Sequence, residues 1–312
     1  MTDSTTHTAK NGPSPEEPNG QTEGIMRPFV FEHLPIRGRL IRIPNITDQV
    51  NALDLGDTNL AQTLSEMLVA AVVLAFDMKD KANITLQITS EGDVPLLLAK
   101  CNYKGVLRAF AKKDNDPPEA TTPLEDKDKS VFTVTVDYGR GQESYQSIVP
   151  IDAASVSKAI EDYFQQSSQL KTLFKVFTQA DASGRTSCGA MFLQALPHKE
   201  KVTEDDWRRM GLLLATLHAH EVLPGEVKEI ELLSRIFAED DVRVFPKETL
   251  GFADSSNRGR MAEALKSIGA DECRTLLEQE NGQFTMTDEY TGQSETFSEN
   301  DLRQIFGEDW SE

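Results

Sequence analysis

Polar and apolar residues alternate in many short segments, a pattern that predicts half-buried β-strands. We place these strands at residues 29–31, 38–43, 84–88, 106–111, 132–136, 145–149, 173–177 and 188–193. The segment 95–103 is apolar almost without interruption, which predicts a strand that is covered on both faces. Gly139 and Gly141 lie between the strands 132–136 and 145–149, so we expect a hairpin there.

A different spacing marks the longest predicted helix, whose first turn can be capped by Asp57, Thr58 and Asn59. Apolar side chains then recur three and four residues apart, which is the spacing of one buried helical face. They are Leu60, Leu64, Met67, Leu68, Ala71, Leu74, Ala75 and Met78. A second helix begins at Ser155. Helices and antiparallel strands in this irregular order indicate an α+β domain, with the long helix at the centre of its core.

The pattern becomes mainly helical from residue 198 onward. Thr203 can cap one helix, and the next helix has an apolar stripe with Leu232 beside it. The stripe consists of Val227, Ile230, Leu233, Ile236 and Phe237. An acidic corner at 239–241 and a short strand at 242–245 follow. The last part is predicted to contain helices at 258–268, at about 271–280 and after Ser298, with a strand at 283–287.

These patterns divide the chain into four predicted parts. Residues 1–26 are rich in Ser, Thr, Pro, Gly and Glu, which predicts a disordered tail. Residues 27–197 form the main α+β domain, residues 198–245 form a helical linker, and residues 246–312 form a small α+β C-terminal domain.

Composition and charge narrow the classes of partner. The chain has 312 residues, of which 38% are hydrophobic, so it can bury a sizeable core. Its formal net charge of -19 argues against nucleic acid and against anionic membranes as partners. The longest apolar run, 67–76, is too short to span a bilayer, and the first residues lack a signal-peptide pattern. We therefore expect a cytoplasmic protein.

The cysteines offer little chemistry. Cys101, Cys188 and Cys273 are scattered, without the spacing of a disulfide framework or of a thiolate zinc site. Cys101 and Cys188 lie in apolar strands, where buried thiols are expected rather than nucleophiles. We expect no enzyme, and a hydrolase that uses Cys188 is the weakest of the functional hypotheses.

Four phrases of the sequence carry a resemblance to a known family. They are FEHLPIRGRLIRI (31–43), LLSRIFAEDDVRVF (232–245), RMAEALKSIGADE (260–272) and LLEQENGQFTMT (276–287). Together with shorter matches they make the chain resemble the redox-regulated 33 kDa chaperonin family, heat shock protein 33, from Phe29 to Phe306.

In that family the terminal unit holds zinc through a C-x-C pair and a later C-x-x-C pair. The resemblance places Asp254 and Ser256 at the first pair, and Asp288 and Thr291 at the second. The zinc and the thiol switch are therefore predicted to be lost, and we expect no cofactor. Oxygen ligands suit calcium or magnesium, but such sites recruit more carboxylates and carbonyls than this, so we expect a vestigial polar site.

The resemblance implies an ATP-independent holdase, which binds unfolding client proteins and prevents their aggregation, without catalytic residues. The candidate client-contacting or covering residues are Leu232, Leu233, Ile236 and Phe237 of the linker. The alternative is a dedicated interaction or regulatory protein with one fixed partner on the same fold. A homodimer is compatible with the resemblance. The client range, the trigger and the oligomeric state stay open, as does whether the terminal unit is stable without zinc or loose, leaving the linker weakly held.

Overall fold

The computed structural model separates the chain into two compact units that divide between Ala253 and Asp254. It describes residues 24–46, 58–78, 80–112, 130–139, 143–149, 155–197, 202–225, 227–252, 257–287 and 294–310. Each unit has a hydrophobic core of its own. The helices and the mixed sheet give an α+β fold, as the sequence predicts.

One large sheet forms the framework of the first unit. Its strands, within the described residues, are β1 (Gly24–Phe31), β2 (Ile36–Ile43), β3 (Asn83–Ser90), β4 (Leu96–Cys101), β5 (Val106–Lys112), β6 (Ser130–Asp137), β7 (Tyr145–Val149), β8 (Thr172–Ala180), β9 (Thr186–Ala195), β10 (Val242–Val244) and β11 (Glu248–Phe252). Their order is β7-β6-β3-β4-β5-β11-β1-β2-β9-β8, with β10 beside β1. Among the described strands, only β11 and β5 pair in parallel, so β11 joins two antiparallel halves.

The main core lies between this sheet and helix α1 (Thr58–Ala75), next to helix α2 (Val156–Ser168). Nearly every side chain of α1 from Leu60 onward is buried, as expected for a helix that is apolar on most sides. The buried carboxylate of Glu66 accepts hydrogen bonds from Gln62 Nε2 and from the backbone N–H of Ser157, both at 2.9 Å. It thereby satisfies an N–H in the first turn of α2 that no helical carbonyl can reach.

Strand β4 differs from the sequence prediction. The sequence predicts that this apolar segment is covered on both faces, but burial alternates along the strand. Leu97, Ala99 and Cys101 face the core, whereas Lys100 is exposed. The difference arises because α1 packs on one face of the sheet only, and composition alone does not reveal how many faces are covered.

The predicted linker folds into helices α3 (Glu204–Ala215), α4 (Ala219–Val222) and α5 (Glu229–Ile236), and then enters β10. The side chain of Thr203 accepts the Asp206 N–H at 3.1 Å, so the predicted cap is present. The short helix α4 has no counterpart in the predictions. These helices belong to the larger of the two units.

Two details bear on where the parts of the chain begin and end. The predicted tail extends to residue 26, but Gly24, Ile25 and Met26 already pair with β11. The earlier tail residues lie outside the described part of the chain. Strand β11 follows the predicted linker, yet it is hydrogen-bonded between β1 and β5 in the large sheet.

The second unit contains helices α6 (Asn257–Ile268), α7 (Ala270–Gln279) and α8 (Glu299–Phe306), the hairpin strands β12 (Gln283–Thr287) and β13 (Ser294–Ser298), and a 3-10 turn at Gly307–Trp310. Its buried core consists of Met261, Leu265, Cys273, Leu277, Phe284, Phe297, Leu302 and Trp310. Cys273 is therefore a core residue, although its helix looks surface-exposed in the sequence. Helix α8 starts with the Ser298 N–H donating to Asp301 Oδ2 at 2.8 Å.

Candidate functional site

A second apolar cluster lies on the sheet face opposite α1, on strands β1, β2, β8 and β9. Strand alternation and the observed register put these side chains on the same face. The buried ones are Phe29, Phe31, Ile36, Leu40, Met191 and Leu193. We call this surface the linker-covered face, because the side chains that complete the cluster come from the linker.

The linker buries the apolar stripes of its helices on this face. Helix α3 contributes Met210 and Leu214, and Leu217 follows it. Val222 of α4 and Leu232, Leu233 and Phe237 from α5 and its end complete the cover. Without the linker, the aromatic and aliphatic side chains of the strands would be open to solvent.

The structure brings together the four linker residues that the sequence singles out. Leu232, Leu233 and Phe237 are at most 1% exposed, and Ile236 is partly buried against the same cluster. The Phe237 ring lies 5.6 Å from the Phe29 ring and 4.9 Å from the Phe31 ring, measured between centroids. These residues thus cover apolar surface in the closed structure, and their role towards clients stays a prediction.

Two glycines allow the close packing on this face. A Cβ on Gly38 would lie 2.0 Å from the Phe29 ring, so only glycine leaves room for the ring across the strand pair. A Cβ on Gly189 would lie 2.8 Å from the Val222 carbonyl oxygen. Helix α4 therefore rests with its backbone directly on β9.

Arg42 of β2 binds the linker backbone beside Gly189, its partner in register on β9. Its guanidinium donates to the carbonyl oxygens of Val222 at 3.0 Å, Val227 at 2.7 Å and Glu221 at 2.8 Å. Burial lowers the pKa of Arg42, and the carboxylate of Glu229 opposes that change from 3.5 Å. The carbonyls of α4 and of the loop after it thus replace water around a buried cation.

Lys175 of β8 makes the corresponding contact with α3. Its ammonium group donates to the carbonyl oxygens of Leu214 at 3.0 Å, Ala215 at 3.1 Å and Leu217 at 3.2 Å. The last carbonyls of a helix have no partner within the helix, and a cation at that end also interacts favourably with the helix dipole. Lys175 therefore caps α3 from the sheet.

Arg27 of β1 is the third cation on the linker-covered face. Its guanidinium donates to Glu229 Oε2 and to the Phe245 carbonyl oxygen, each at 3.1 Å. Glu229 is the first residue of α5, where a negative charge is favoured by the helix dipole. It lies within ion-pair distance of both Arg27 and Arg42.

Two ion pairs connect parts of the linker to one another. Arg209 of α3 forms a bidentate salt bridge with Asp240, in which Nη1 lies 2.8 Å from Oδ2 and Nη2 lies 2.6 Å from Oδ1. Arg235 of α5 donates to Glu221 of α4 at 2.5 Å. The backbone N–H of His218 donates to the same carboxylate at 2.7 Å and, as the largest effect, lowers the pKa of Glu221, with Arg235, His220 and His218 contributing by charge.

Replacing Glu221 with glutamine is expected to weaken α4 by roughly 0.5 to 1 kcal/mol, because the ion pair with Arg235 is lost while an amide oxygen still accepts the His218 N–H. Because the pKa of Glu221 is lower in the closed linker than its ordinary value of 4.5, the ionised carboxylate stabilises the closed linker above pH 4.5. This stabilisation is lost as the pH falls through the lower pKa of the closed state. Hydrogen exchange of the α4 amides should therefore differ between Glu221→Gln and wild type at neutral pH and converge below pH 4.5. A difference in exchange between the two proteins that persists below pH 4.5 would show that the charge of Glu221 is not its cause.

The four positions that the resemblance aligns with zinc ligands, Asp254, Ser256, Asp288 and Thr291, lie outside the described residues. Among the residues that are described, His, Cys, Asp and Glu side chains form no group of three or more that could hold a metal ion. An Asp, Ser, Asp and Thr set does not fit a zinc site that depends on thiolates.

The three thiols are buried and separate. Burial raises the pKa of Cys188 to about 12, although a hydrogen bond with Ser65 opposes the change. Burial also raises the pKa of Cys101, and raises that of Cys273 to about 11. Thiols with such pKa values are protonated at neutral pH, so none of them has the character of a nucleophile.

The three sheet cations are the functional candidates that the sequence analysis missed. The available signal is that Arg27, Arg42 and Lys175 occupy strand positions whose neighbours on the same face are apolar. A cation on such a face predicts that a polar group covers it.

Within the described residues, no helix is long and apolar enough to cross a membrane.

Comparisons with known proteins agree along most of the chain. Residues 25–298 match the family model described as Hsp33 protein. A 33 kDa chaperonin of Pseudomonas aeruginosa is 32% identical over 283 residues, which cover 89% of this chain and 93% of that protein. A 33 kDa chaperonin of Chromobacterium violaceum is 33% identical over 285 residues, which cover 90% of this chain and 93% of that protein.

A solved structure shares the fold. The crystal structure of the 33 kDa chaperonin (heat shock protein 33 homolog) of Thermotoga maritima aligns with a TM-score of 0.63 and 19% sequence identity. The alignment covers 93% of this chain and 99% of that one. With three cysteines, this chain has too few thiols for the four-thiol zinc site of the resemblance. The family match and the two bacterial relatives together show that the chain belongs to the Hsp33 family of 33 kDa chaperonins.

Proposed function

We propose that this protein is an ATP-independent holdase whose client-binding surface is the linker-covered face. The observation that supports the proposal most directly is the position of Phe237, which lies in ring contact with Phe29 and Phe31. A segment that fills an apolar surface in this way can be displaced by, or make way for, the apolar side chains of an unfolding client. Clients are unfolded or partly unfolded proteins of the cytoplasm, and neither nucleic acid nor a membrane takes part.

In this proposal, the linker is released from the linker-covered face without the thiol–zinc switch. Helix α4 has 4 residues and α5 has 8, and helices this short are unstable in water without tertiary packing. The linker is attached to the sheet by apolar contacts, hydrogen bonds to carbonyl oxygens and ion pairs. Heating favours detachment because the conformational entropy that the linker gains on opening counts for more as the temperature rises. The trigger is therefore heat or a similar stress rather than an oxidant.

Light scattering of a chemically unfolded client, diluted into reducing buffer with a chelator, tests this proposal. We expect weak suppression of aggregation by the untreated protein and strong suppression after mild heating, because heating opens the linker. Adding zinc or peroxide should change neither result. Unchanged aggregation before and after heating would contradict the holdase. Recovery of one stoichiometric partner from unstressed cells would then favour a dedicated interaction protein.

A further inference from the structure

The linker-covered face has a charge opposite to that of the whole protein. Along β1, β2, β8 and β9, the positions on this face hold three cations, Arg27, Arg42 and Lys175, and no carboxylate. The complete chain has a formal net charge of -19. The surface that the linker covers is thus apolar and locally cationic within an acidic protein.

The linker supplies matching acceptors. Arg42 and Lys175 each bind three backbone carbonyl oxygens of the linker, and Arg27 and Arg42 share the Glu229 carboxylate. Lys171, just before β8, pairs with Glu204 in the first turn of α3.

One ion pair at the edge of this face has the opposite arrangement, with the cation on the linker and the carboxylate beside the sheet. Arg243 of β10 pairs with Glu32 at 3.1 Å, but both side chains are largely exposed. The cations in the buried part of the face therefore bind carboxylate and carbonyl oxygens of the linker. The linker itself is acidic and amphipathic.

Release of the linker would leave these cations without their acceptors. Water can replace the acceptors on an open surface, but a client that covers the face with apolar side chains removes that water. A covered cation without an acceptor is costly, so a client that brings carboxylates or free carbonyl oxygens binds better than one that does not. Arg27 Nε already lacks a partner among the described residues, so it could donate to a further acceptor.

Building on the proposed holdase function, we propose that the released face selects acidic amphipathic segments of client polypeptides. Apolar client side chains would occupy the positions that Leu232, Leu233 and Phe237 vacate. Client carboxylates would take the position of Glu229 between Arg27 and Arg42. The linker is then a built-in example of the sequences that the face recognises.

Peptide binding to the full-length protein in an opened form tests this proposal. The opened form is Phe237→Asp, with Leu232→Asp as a second variant, and protease sensitivity of the linker verifies that each is open. The first probe is a fluorescent peptide of residues 228–241, which is acidic and amphipathic. The second probe has lysine at every Asp and Glu position of that peptide. The net charge of the protein favours the basic probe, whereas the cations of the face favour the acidic one.

We expect the acidic probe to bind the opened protein at least about tenfold more tightly than the basic probe, with a preference that declines at high salt. Arg27→Met in the opened protein should remove much of this preference, because Arg27 pairs with the Glu229 carboxylate whose position a client carboxylate would take. Lys81→Met removes the same charge from an exposed site on the same unit, beside Tyr103, and should leave the preference unchanged. Equal or reversed affinities, or equal effects of Arg27→Met and Lys81→Met, would overturn the proposal.

The same proteins separate this inference from the holdase proposal. Suppressed aggregation by an opened variant that shows no preference for the acidic probe would leave the holdase in place and overturn the selectivity. A clear preference without suppression of aggregation would support the selectivity and contradict the holdase.

Discussion

Replacing Phe237 with aspartate is expected to open the linker and to make the protein an active chaperone at room temperature without heating. Truncating a buried phenylalanine typically costs about 3 to 5 kcal/mol, and a carboxylate beside Phe29 and Phe31 adds a desolvation cost. A loss of about 3 kcal/mol raises the open population roughly a hundredfold. The main sheet should stay folded, because its core lies on the opposite face, around α1.

Trp207 reports this opening, because it is partly buried against the same cluster on α3. The second tryptophan, Trp310, lies in the terminal unit and can be replaced by phenylalanine to isolate the signal. Ile230→Asp is the matched control, since Ile230 lies on the same helix as Leu233 but is 57% exposed. It should change neither Trp207 fluorescence nor light scattering. An opened Phe237→Asp protein without gain in client protection would contradict the proposed holdase.

Replacing Phe297 with alanine is expected to unfold the terminal unit while the larger unit stays folded. Phe297 is fully buried, stacks on Phe284 at 6.1 Å and carries the Arg258 guanidinium above its ring at 4.7 Å. The expected cost of about 3 to 5 kcal/mol is comparable with the whole stability of so small a unit. Trp310 fluorescence in a Trp207→Phe background should lose its cooperative thermal transition.

The same substitution tests whether the linker depends on the terminal unit. Strand β11 lies between the two in sequence and is paired on both sides, with β1 and with β5. We therefore expect Trp207 fluorescence and resting chaperone activity to stay unchanged in Phe297→Ala, with Trp310 replaced by phenylalanine. A linker that opens together with the terminal unit would show instead that the terminal unit restrains it, as one of the two sequence-based alternatives supposes.

Most elements of the fold are visible in the local pattern of the sequence. The long helix, the hairpin of β6 and β7 and the Thr203 cap follow from spacing, because each depends on side chains close together in sequence. The predicted stripe of α5 is confirmed only in part, since Leu233 and Phe237 are buried but Ile230 is exposed. Strands β11 and β13 and helix α4 were not predicted. Each of them is short. The position of β11 depends on strands far away in sequence and that of α4 on packing against β9, whereas β13 pairs with its neighbour β12.

By itself, the sequence determined the α+β class, the resemblance to the chaperonin family, the absence of its thiol pairs and the apolar stripe of the linker, because these depend on residue identity and short-range spacing. Only the tertiary structure decided what that stripe covers. Strand order places Arg27, Arg42 and Lys175, which are far apart in sequence, on one face beneath the linker. Which acceptors a buried cation meets depends on long-range packing, and no local pattern specifies them.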